Sequence, residues 1–127
     1  MSVLADARVS AGLPASDLAR ATAFYEETLG LRKTQESEGS VMFTCGAGTM
    51  LFVYPSEFAG TNQATAAGFE VGDIEAAMDE LRGKGVTFED YDLPGLRTVD
   101  GVATIGTSKS AWFKDAEGNI LALVQMG

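Results

Sequence analysis

The sequence predicts a single α+β domain in which two βαβββ modules form a curved, mostly antiparallel, cup-shaped sheet with the helices outside. Three observations support this prediction: the length of 127 residues, a repeated order of elements, and a hairpin near the end. Hydrophobic residues make up 46% of the chain, a typical globular fraction that is enough for a sizeable core.

The repeat is marked by two helix starts that lie 56 residues apart. Ser16-Asp17-Leu18 opens one helix, with Ser16 as the expected N-cap, and Gly72-Asp73-Ile74 opens the other with Asp73 as its cap. Each half then reads strand, helix and three strands. A single unit of this kind leaves one sheet face bare, so the two units must pack together to bury it.

The first module covers about residues 8–54, and residues 55–64 form a polar linker. A short alternating run from Arg8 to Leu13 predicts a strand that ends at Pro14, and the helix then continues to about Leu29, before Gly30. Three strands follow, and Gly46-Ala47-Gly48 forms a tight hairpin between the second and the third. These strands are predicted at 32–38, 41–45 and 49–54.

The second module covers about residues 65–125 and repeats the plan. It predicts a strand at 66–71, a helix at 74–82 and a strand at 86–91. The loop at 93–110 has the length of a lid, and part of 99–105 adds to a strand edge. The module ends with a hairpin at 111–124.

That hairpin is the strongest local signal in the chain. Two apolar runs flank a turn in which Gly118 can adopt positive φ. Pairing around the turn places Trp112 opposite Ala122 on one face, with Phe113 and Leu121 together on the other.

The charge balance restricts the classes of partner. Nine Lys and Arg residues against eighteen Asp and Glu give a net charge of −9, which repels phosphate backbones and acidic lipid headgroups. We therefore expect neither nucleic acid nor membrane as a partner, and cationic or neutral small molecules are favoured. With no visible signal peptide and no long apolar stretch, we expect a cytoplasmic protein.

Three stretches carry a resemblance to a known family. They are Ser16–Tyr25 together with Leu29-Gly30-Leu31, then Phe69–Ile74, and finally Trp112–Leu121. From about Arg8 to Gln125 the chain resembles the vicinal-oxygen-chelate superfamily, which includes glyoxalase I, bleomycin-resistance proteins and extradiol dioxygenases. The resemblance implies the fold but not the activity, because the superfamily hosts several chemistries. It also implies a homodimer, since many relatives combine modules from two chains.

Enzymes of that superfamily hold a divalent metal on four side chains, one from each of four strands. The resemblance places the corresponding positions at Ser10, Leu51, Ala66 and Ala122, where one hydroxyl and three aliphatic groups stand. The chain also has no histidine and a single cysteine, Cys45, which we expect to be a buried small hydrophobe. We therefore expect no metal site, no cofactor and no metal-dependent glyoxalase or dioxygenase activity.

Alternation from those four positions predicts which side chains face the cup. The other set, which includes Phe43, Cys45, Phe52, Tyr54, Phe69 and Leu121, should pack beneath the helices. The predicted cup-facing set is Ser10, Gly12, Met42, Thr44, Leu51, Val53, Ala66, Gly68, Glu70, Trp112, Ile120, Ala122 and Val124.

Three of the candidate site residues have side chains that can bind a ligand by charge or stacking, or take part in a reaction. Glu70 can hold a cation or act as an acid or base; alternatively it lies hydrated at the rim, or it pairs with Lys109 or Lys114. Trp112 can stack on a ligand or simply fill the cup. Tyr91 lies just before the long loop, within an acidic run that is otherwise ordinary solvated surface.

Three functions remain open from the sequence. The first is a metal-free protein that binds an aromatic, cationic or neutral small molecule, with ligand contacts drawn from Ser10, Thr44, Leu51, Val53, Glu70, Tyr91, Trp112 and Ala122. The alternative is a metal-independent lyase or isomerase that uses Glu70 as acid or base, with Thr44 or Tyr91 as a hydrogen-bond partner. The third is an interaction module. The sequence does not identify the ligand.

Overall fold

The computed structural model describes residues 3–37 and 39–127, and it confirms the predicted fold class. None of the described helices is long and apolar enough to cross a membrane. A π-helical turn at Phe24–Thr28 directly follows the first α-helix, and a 3-10 turn at Gly46–Gly48 joins the third strand to the fourth. The elements are β1 Ser10–Ala15, α1 Leu18–Ala23, β2 Arg32–Ser37, β3 Ser40–Thr44, β4 Met50–Pro55, β5 Thr65–Glu70, α2 Ile74–Gly83, β6 Asp92–Leu93, β7 Leu96–Arg97, β8 Ala103–Ile105, β9 Ser108–Lys114 and β10 Ile120–Gln125.

The two modules form two sheets with equivalent strand orders. The first is β1-β4-β3-β2 and the second is β5-β10-β9-β8, while β6 and β7 make a separate small hairpin. Each four-stranded sheet has one parallel pair, β1 with β4 or β5 with β10, and its other pairs are antiparallel. The edge strands β1 and β5 contact each other, so the two sheets meet along their first strands.

The first module differs from the prediction at its element ends. Pro14 lies inside β1 rather than ending it, which an edge strand tolerates because one side of its backbone needs no donor. Asp17, not Ser16, is the N-cap of α1, and its carboxylate accepts a hydrogen bond from the Arg20 amide. The α-helix ends at Ala23, before the π-helical turn. The last residue of the predicted strand 32–38, Glu38, lies outside the described residues.

The predicted strand at 86–91 is wrong. This segment touches β9 at a single bridge between Phe88 and Phe113, because the chain turns away at Asp90. The Asp90 carboxylate accepts hydrogen bonds from the Thr98 hydroxyl at 2.9 Å and from the Gly101 amide at 3.0 Å. The fourth strand of the sheet is instead β8, within the stretch 99–105 that was expected to add to a strand edge.

The hydrophobic core lies between the helices and one face of each sheet. Phe43 and Leu121 are fully buried there, as predicted, and Phe69 packs against them while partly buried. Burying a side chain of this size contributes roughly 1.5–3 kcal/mol. The largest fully buried side chains are Tyr25, Phe43, Phe113, Leu13, Ile74, Met78, Leu121, Val41 and Val53.

The prediction for β4 is wrong by one residue, so its two faces are exchanged. Leu51 and Val53 lie in the core, not in the cup, whereas Phe52 and Tyr54 lie on the opposite face. The parallel pairing of β1 with β4 explains the shift. Ser10 pairs with Met50 rather than with Leu51, and paired residues point to the same face of the sheet. We call the sheet face that points away from the helices the concave face.

The turn between β9 and β10 joins the modules through Glu117. Its side chain is only 2% exposed, and it accepts hydrogen bonds from the Ser16 amide and hydroxyl, from the Asp17 amide, and from Arg20 at 3.0 Å. Burial raises the pKa of Glu117, but the hydrogen bonds from Ser16, Asp17 and Arg20 outweigh it and lower the pKa to about 2. The second module thereby fixes the start of α1.

Two further side chains of the same turn complete this connection. The buried Asp115 carboxylate accepts a hydrogen bond from the phenol of Tyr25, and burial followed by this acid raises the Tyr25 pKa. Asn119 donates to the Pro14 carbonyl at 2.8 Å and accepts from the Gly60 amide at 3.1 Å. The first module, the linker and the terminal turn are therefore held at one point.

We predict that Glu117→Gln lowers the free energy of unfolding at neutral pH by roughly 1–3 kcal/mol, the lower figure allowing for solvent around Arg20. Because the folded pKa is depressed, the stabilisation is complete above the ordinary value of 4.5 and disappears as the pH falls toward 2. Urea unfolding measured across this range tests both points. Glu80→Gln on the exposed face of α2 is the matched control, and equal losses in the two variants would contradict the prediction.

Candidate functional site

The concave face of the second sheet carries an aromatic corner built on Trp112. Trp112 lies opposite Ala122, as predicted, and Ala122 lies opposite Gly68 on β5. The indole Nε1 donates to the Thr65 hydroxyl at 3.0 Å, and the Tyr91 ring contacts the indole edge-on with ring centres 5.5 Å apart. We call Thr65, Tyr91 and Trp112 the aromatic corner.

The sequence did not predict that Thr65 lies on the concave face beside Trp112, because this position depends on a β-bulge. Ile120 pairs with Thr65 and Leu121 pairs with Ala67, so Ala66 is an extra residue in β5. A bulge of this kind reverses which side chains face which way on one side of it. Thr65 therefore reaches the concave face, although strict alternation from Ala66 assigns it to the core. No signal in the sequence marks the bulge.

The Tyr91 ring is positioned by the base of the long loop. The Thr98 amide donates to the Tyr91 carbonyl at 2.9 Å, and the Thr98 hydroxyl accepts from the Tyr91 amide at 2.8 Å. Farther along, Arg82 of α2 donates to the Asp100 carbonyl at 3.3 Å. Burial, and then the nearby Glu89 carboxylate, raise the pKa of the Tyr91 phenol, so its hydroxyl remains a donor at neutral pH.

The first sheet contributes a second aromatic pair to the concave face. Phe52 and Tyr54 lie with ring centres 5.8 Å apart, and Tyr54 is 37% exposed. The Phe52 ring covers Gly12 so closely that an added Cβ would lie 2.8 Å from its Cζ. Alternation counted from Met50 rather than Leu51 would have placed both rings here.

The positions that correspond to the metal ligands of the resembled enzymes do not fit a metal ion. Ser10 lies in a row with Met50 and Thr44, Leu51 faces the core, and Ala122 is flanked by Gly68 and Trp112. The row offers hydroxyls and one thioether, but no imidazole or carboxylate. Among residues 3–37 and 39–127, no three His, Cys, Asp or Glu side chains lie close enough together to hold a metal.

Glu70 lies apart from the aromatic corner. It is exposed, and it shares a row with Val124 and Ser110, two residues along β5 from the row of Trp112. Strand spacing puts roughly 12 Å between its Cα and that of Trp112. Of the alternatives for Glu70, the pairing with Lys109 or Lys114 is not found, because Lys109 pairs with Glu75 at 3.2 Å and Lys114 with Glu89 at 3.8 Å.

Thr44 also engages a neighbour within its own sheet. Its hydroxyl donates to that of Thr34 at 3.2 Å. No hydrogen bond joins Glu70 to Thr44 or to Tyr91 in the described part of the chain. The structure therefore brings together Trp112, Tyr91 and Ala122 on one sheet and Ser10 and Thr44 on the other, with Glu70 separate from both groups.

Comparison with protein families gives one match that covers most of the chain. Residues 8–123 match the model described as the Glyoxalase/Bleomycin resistance protein/Dioxygenase superfamily. A search of curated protein sequences gives no significant match.

Solved structures of low sequence identity share the fold. A lactoylglutathione lyase from Agrobacterium tumefaciens is 18% identical with a TM-score of 0.71, and the match covers 94% of this chain and 93% of that one. The antibiotic-binding protein TnmS3 from Streptomyces sp. CB03234 is 22% identical with a TM-score of 0.67, covering 96% and 97%. The fosfomycin resistance protein FosX from Listeria monocytogenes is 14% identical with a TM-score of 0.71, covering 96% and 94%.

We predict that Thr65→Val shifts the fluorescence emission of Trp112, the only tryptophan, and lowers the free energy of unfolding by about 0.5–1.5 kcal/mol. The reason is that the indole N–H loses its acceptor. Thr87→Val is the matched control, because Thr87 is exposed and its hydroxyl has no partner among the residues that the structure describes. An unchanged emission spectrum in Thr65→Val would show that this hydrogen bond does not form.

Proposed function

We infer that this chain, which belongs to the Glyoxalase/Bleomycin resistance protein/Dioxygenase superfamily, is a metal-free small-molecule-binding protein. The ligand is aromatic, and cationic or neutral, and it lies against the concave face. One observation carries the proposal: a half-buried indole is held in place by Thr65 and Tyr91 on the sheet face that points away from the described helices. A side chain fixed in this way is pre-organised for stacking, which reduces the entropy lost on binding.

The chemistry of the concave face favours this class of ligand. The aromatic corner and the Phe52–Tyr54 pair offer flat apolar surfaces on the two sheets. A cation over the face of a tryptophan gains roughly 0.5–2 kcal/mol, depending on how far it is desolvated. The net charge of −9 attracts cations and repels anions over the whole surface. Apolar contact supplies most of the affinity, and charge selects among ligands.

The metal-free part of the proposal follows from the donor set. Ser10 and Ala122 cannot replace the imidazole and carboxylate ligands that such a centre uses, and Leu51 faces the core. The alternative of a metal-independent lyase or isomerase has less support, because Glu70 has no hydrogen bond to Thr44 or Tyr91 in the described residues. Binding without turnover therefore remains the first proposal.

The fold neighbours are compatible with a binding role. TnmS3 is an antibiotic-binding protein and FosX is a fosfomycin resistance protein. Their identity to this chain is too low to transfer a ligand. They support the general point that this scaffold can hold a small organic molecule. We also propose a cytoplasmic homodimer that binds neither nucleic acid nor membrane.

We predict that N-methylquinolinium, a planar aromatic cation, changes the emission of Trp112 saturably, whereas a quinoline carboxylate does not. Free N-acetyltryptophanamide corrects for collisional quenching. Calorimetry should show that Trp112→Leu weakens binding roughly 2- to 30-fold, the range expected for a cation on an indole. Phe58→Leu is the control, because Phe58 is 68% exposed and lies in the linker.

Two outcomes would contradict this proposal. The first is equal affinity of the Trp112→Leu and Phe58→Leu proteins for the cation. The second is loss of binding after dialysis against a chelator, together with recovery on adding a divalent metal. The first result would place the ligand away from Trp112, and the second would show that binding depends on a metal ion.

We predict that light scattering after size-exclusion chromatography gives twice the chain mass of 13.3 kDa. The exposed apolar side chains support this, since Leu93, Val99 and Ile105 are 55%, 70% and 63% exposed. A mass of one chain at micromolar concentration would exclude a stable dimer. It would leave the aromatic corner intact, because all its residues come from one chain.

A further inference from the structure

A groove lies where the two modules meet, next to the contacting edges of β1 and β5. Its volume is about 640 Å³, within the range of small-molecule sites, which is roughly 300–1,000 Å³. None of the three residues of the aromatic corner lines it. We call it the inter-module groove, and its walls are Ala11, residues 45–47 and residues 49–51 from the first module, and residues 67–70 from the second.

The walls of the groove are largely apolar. Met50 and Phe69 supply large, partly exposed apolar side chains, and the core residue Leu51, together with Ala11 and Ala67, also lines the groove. Leu51 and Phe69 belong to or pack against the core, so these walls are firmly supported. Such a surface can bind the hydrocarbon part of a ligand by removing it from water.

Glu70 gives the groove its charge. It is the only charged residue among the lining residues, which include no lysine, arginine or histidine. Its carboxylate makes no hydrogen bond or ion pair within the described part of the chain, and the two lysines expected to neutralise it pair with other acids. The groove therefore presents one unpaired negative charge beside an apolar wall.

The strand beneath Glu70 adds polar groups. β5 is the edge strand of its sheet, so the side that faces the groove presents backbone N–H and C=O groups outward. Gly68 has no side chain to cover them, and an added Cβ there would meet no atom closer than 3.9 Å. A ligand ammonium group can therefore donate both to Glu70 and to backbone carbonyl oxygens.

We propose that the inter-module groove is a second binding site, specific for a hydrophobic organic amine. The ammonium group pairs with Glu70, and the apolar body lies against Met50 and Phe69. This site is separate from the aromatic corner and does not depend on the function proposed above.

The only cysteine of the chain provides a direct reporter for this site. Cys45 is partly buried and lines the groove, so an occupant should block reagents from its thiol. The probe is phenethylamine, with phenethyl alcohol as the neutral analogue and phenylpropionate as the anionic one. Modification by N-ethylmaleimide, followed by mass spectrometry, gives the reaction rate. We expect saturating phenethylamine to slow it about fivefold or more, and phenylpropionate to leave it unchanged.

The matched variants are Glu70→Gln and Glu80→Gln. We expect Glu70→Gln to weaken phenethylamine binding roughly tenfold by calorimetry, and Glu80→Gln, far from the groove on α2, to leave it unchanged. The same titration in Cys45→Ser checks that the thiol itself is not required. Calorimetry also decides the question if Cys45 proves unreactive toward the maleimide.

The two proposed sites fail in distinguishable ways. Equal protection by the amine and the carboxylate, or unchanged affinity in Glu70→Gln, would overturn the groove proposal. A shift in Trp112 emission without protection of Cys45 would place the amine at the aromatic corner and also overturn it. The quinolinium titration remains the test of the aromatic corner in every case.

Discussion

The relative placement of the two modules depends on the turn between β9 and β10. Glu117 reaches from this turn to the amides that begin α1, where an acid also interacts favourably with the helix dipole. Asp115 and Asn119 tie Tyr25 and Pro14 to the same turn. Because the Glu117 and Asp115 carboxylates are buried and bonded, removing one partner leaves an unsatisfied polar group, and such groups are costly. The concave face and the inter-module groove both require this connection.

The concave face carries side chains that differ in chemistry from the metal ligands of the resembled enzymes. The rows that start from Ser10 and Gly68 run across the strands, with Met50 rather than the expected Leu51 in the first row. Their side chains are hydroxyls, a thioether, small groups and an indole. We propose that such a surface holds a ligand by contact rather than through an ion, with the aromatic corner contributing stacking and the groove beside Glu70 contributing charge.

Much of the fold was predictable because it rests on local signals. Four features follow from neighbouring residues: the amphipathic runs of the helices, the cap of α2 at Asp73, the turn at Gly118 and the pairing of Trp112 with Ala122. The register of β4 was not predictable in this way. A shift of one residue exchanges the two faces of a strand, and the parallel partner β1 that sets the register lies far away in the chain.

The sequence by itself determined the fold class and the repeated order of elements, and it singled out Trp112 and Glu70 as candidate site residues. These depend on composition and on spacing along the chain. Only the tertiary structure decided that Phe52 rather than Leu51 faces the concave side, that a bulge brings Thr65 to the indole, and that Glu70 lies in a separate groove. Each of these depends on how strands that are distant in the chain align. Backbone hydrogen bonds can form between strands in more than one register, so the identity of the paired residues does not reveal the register.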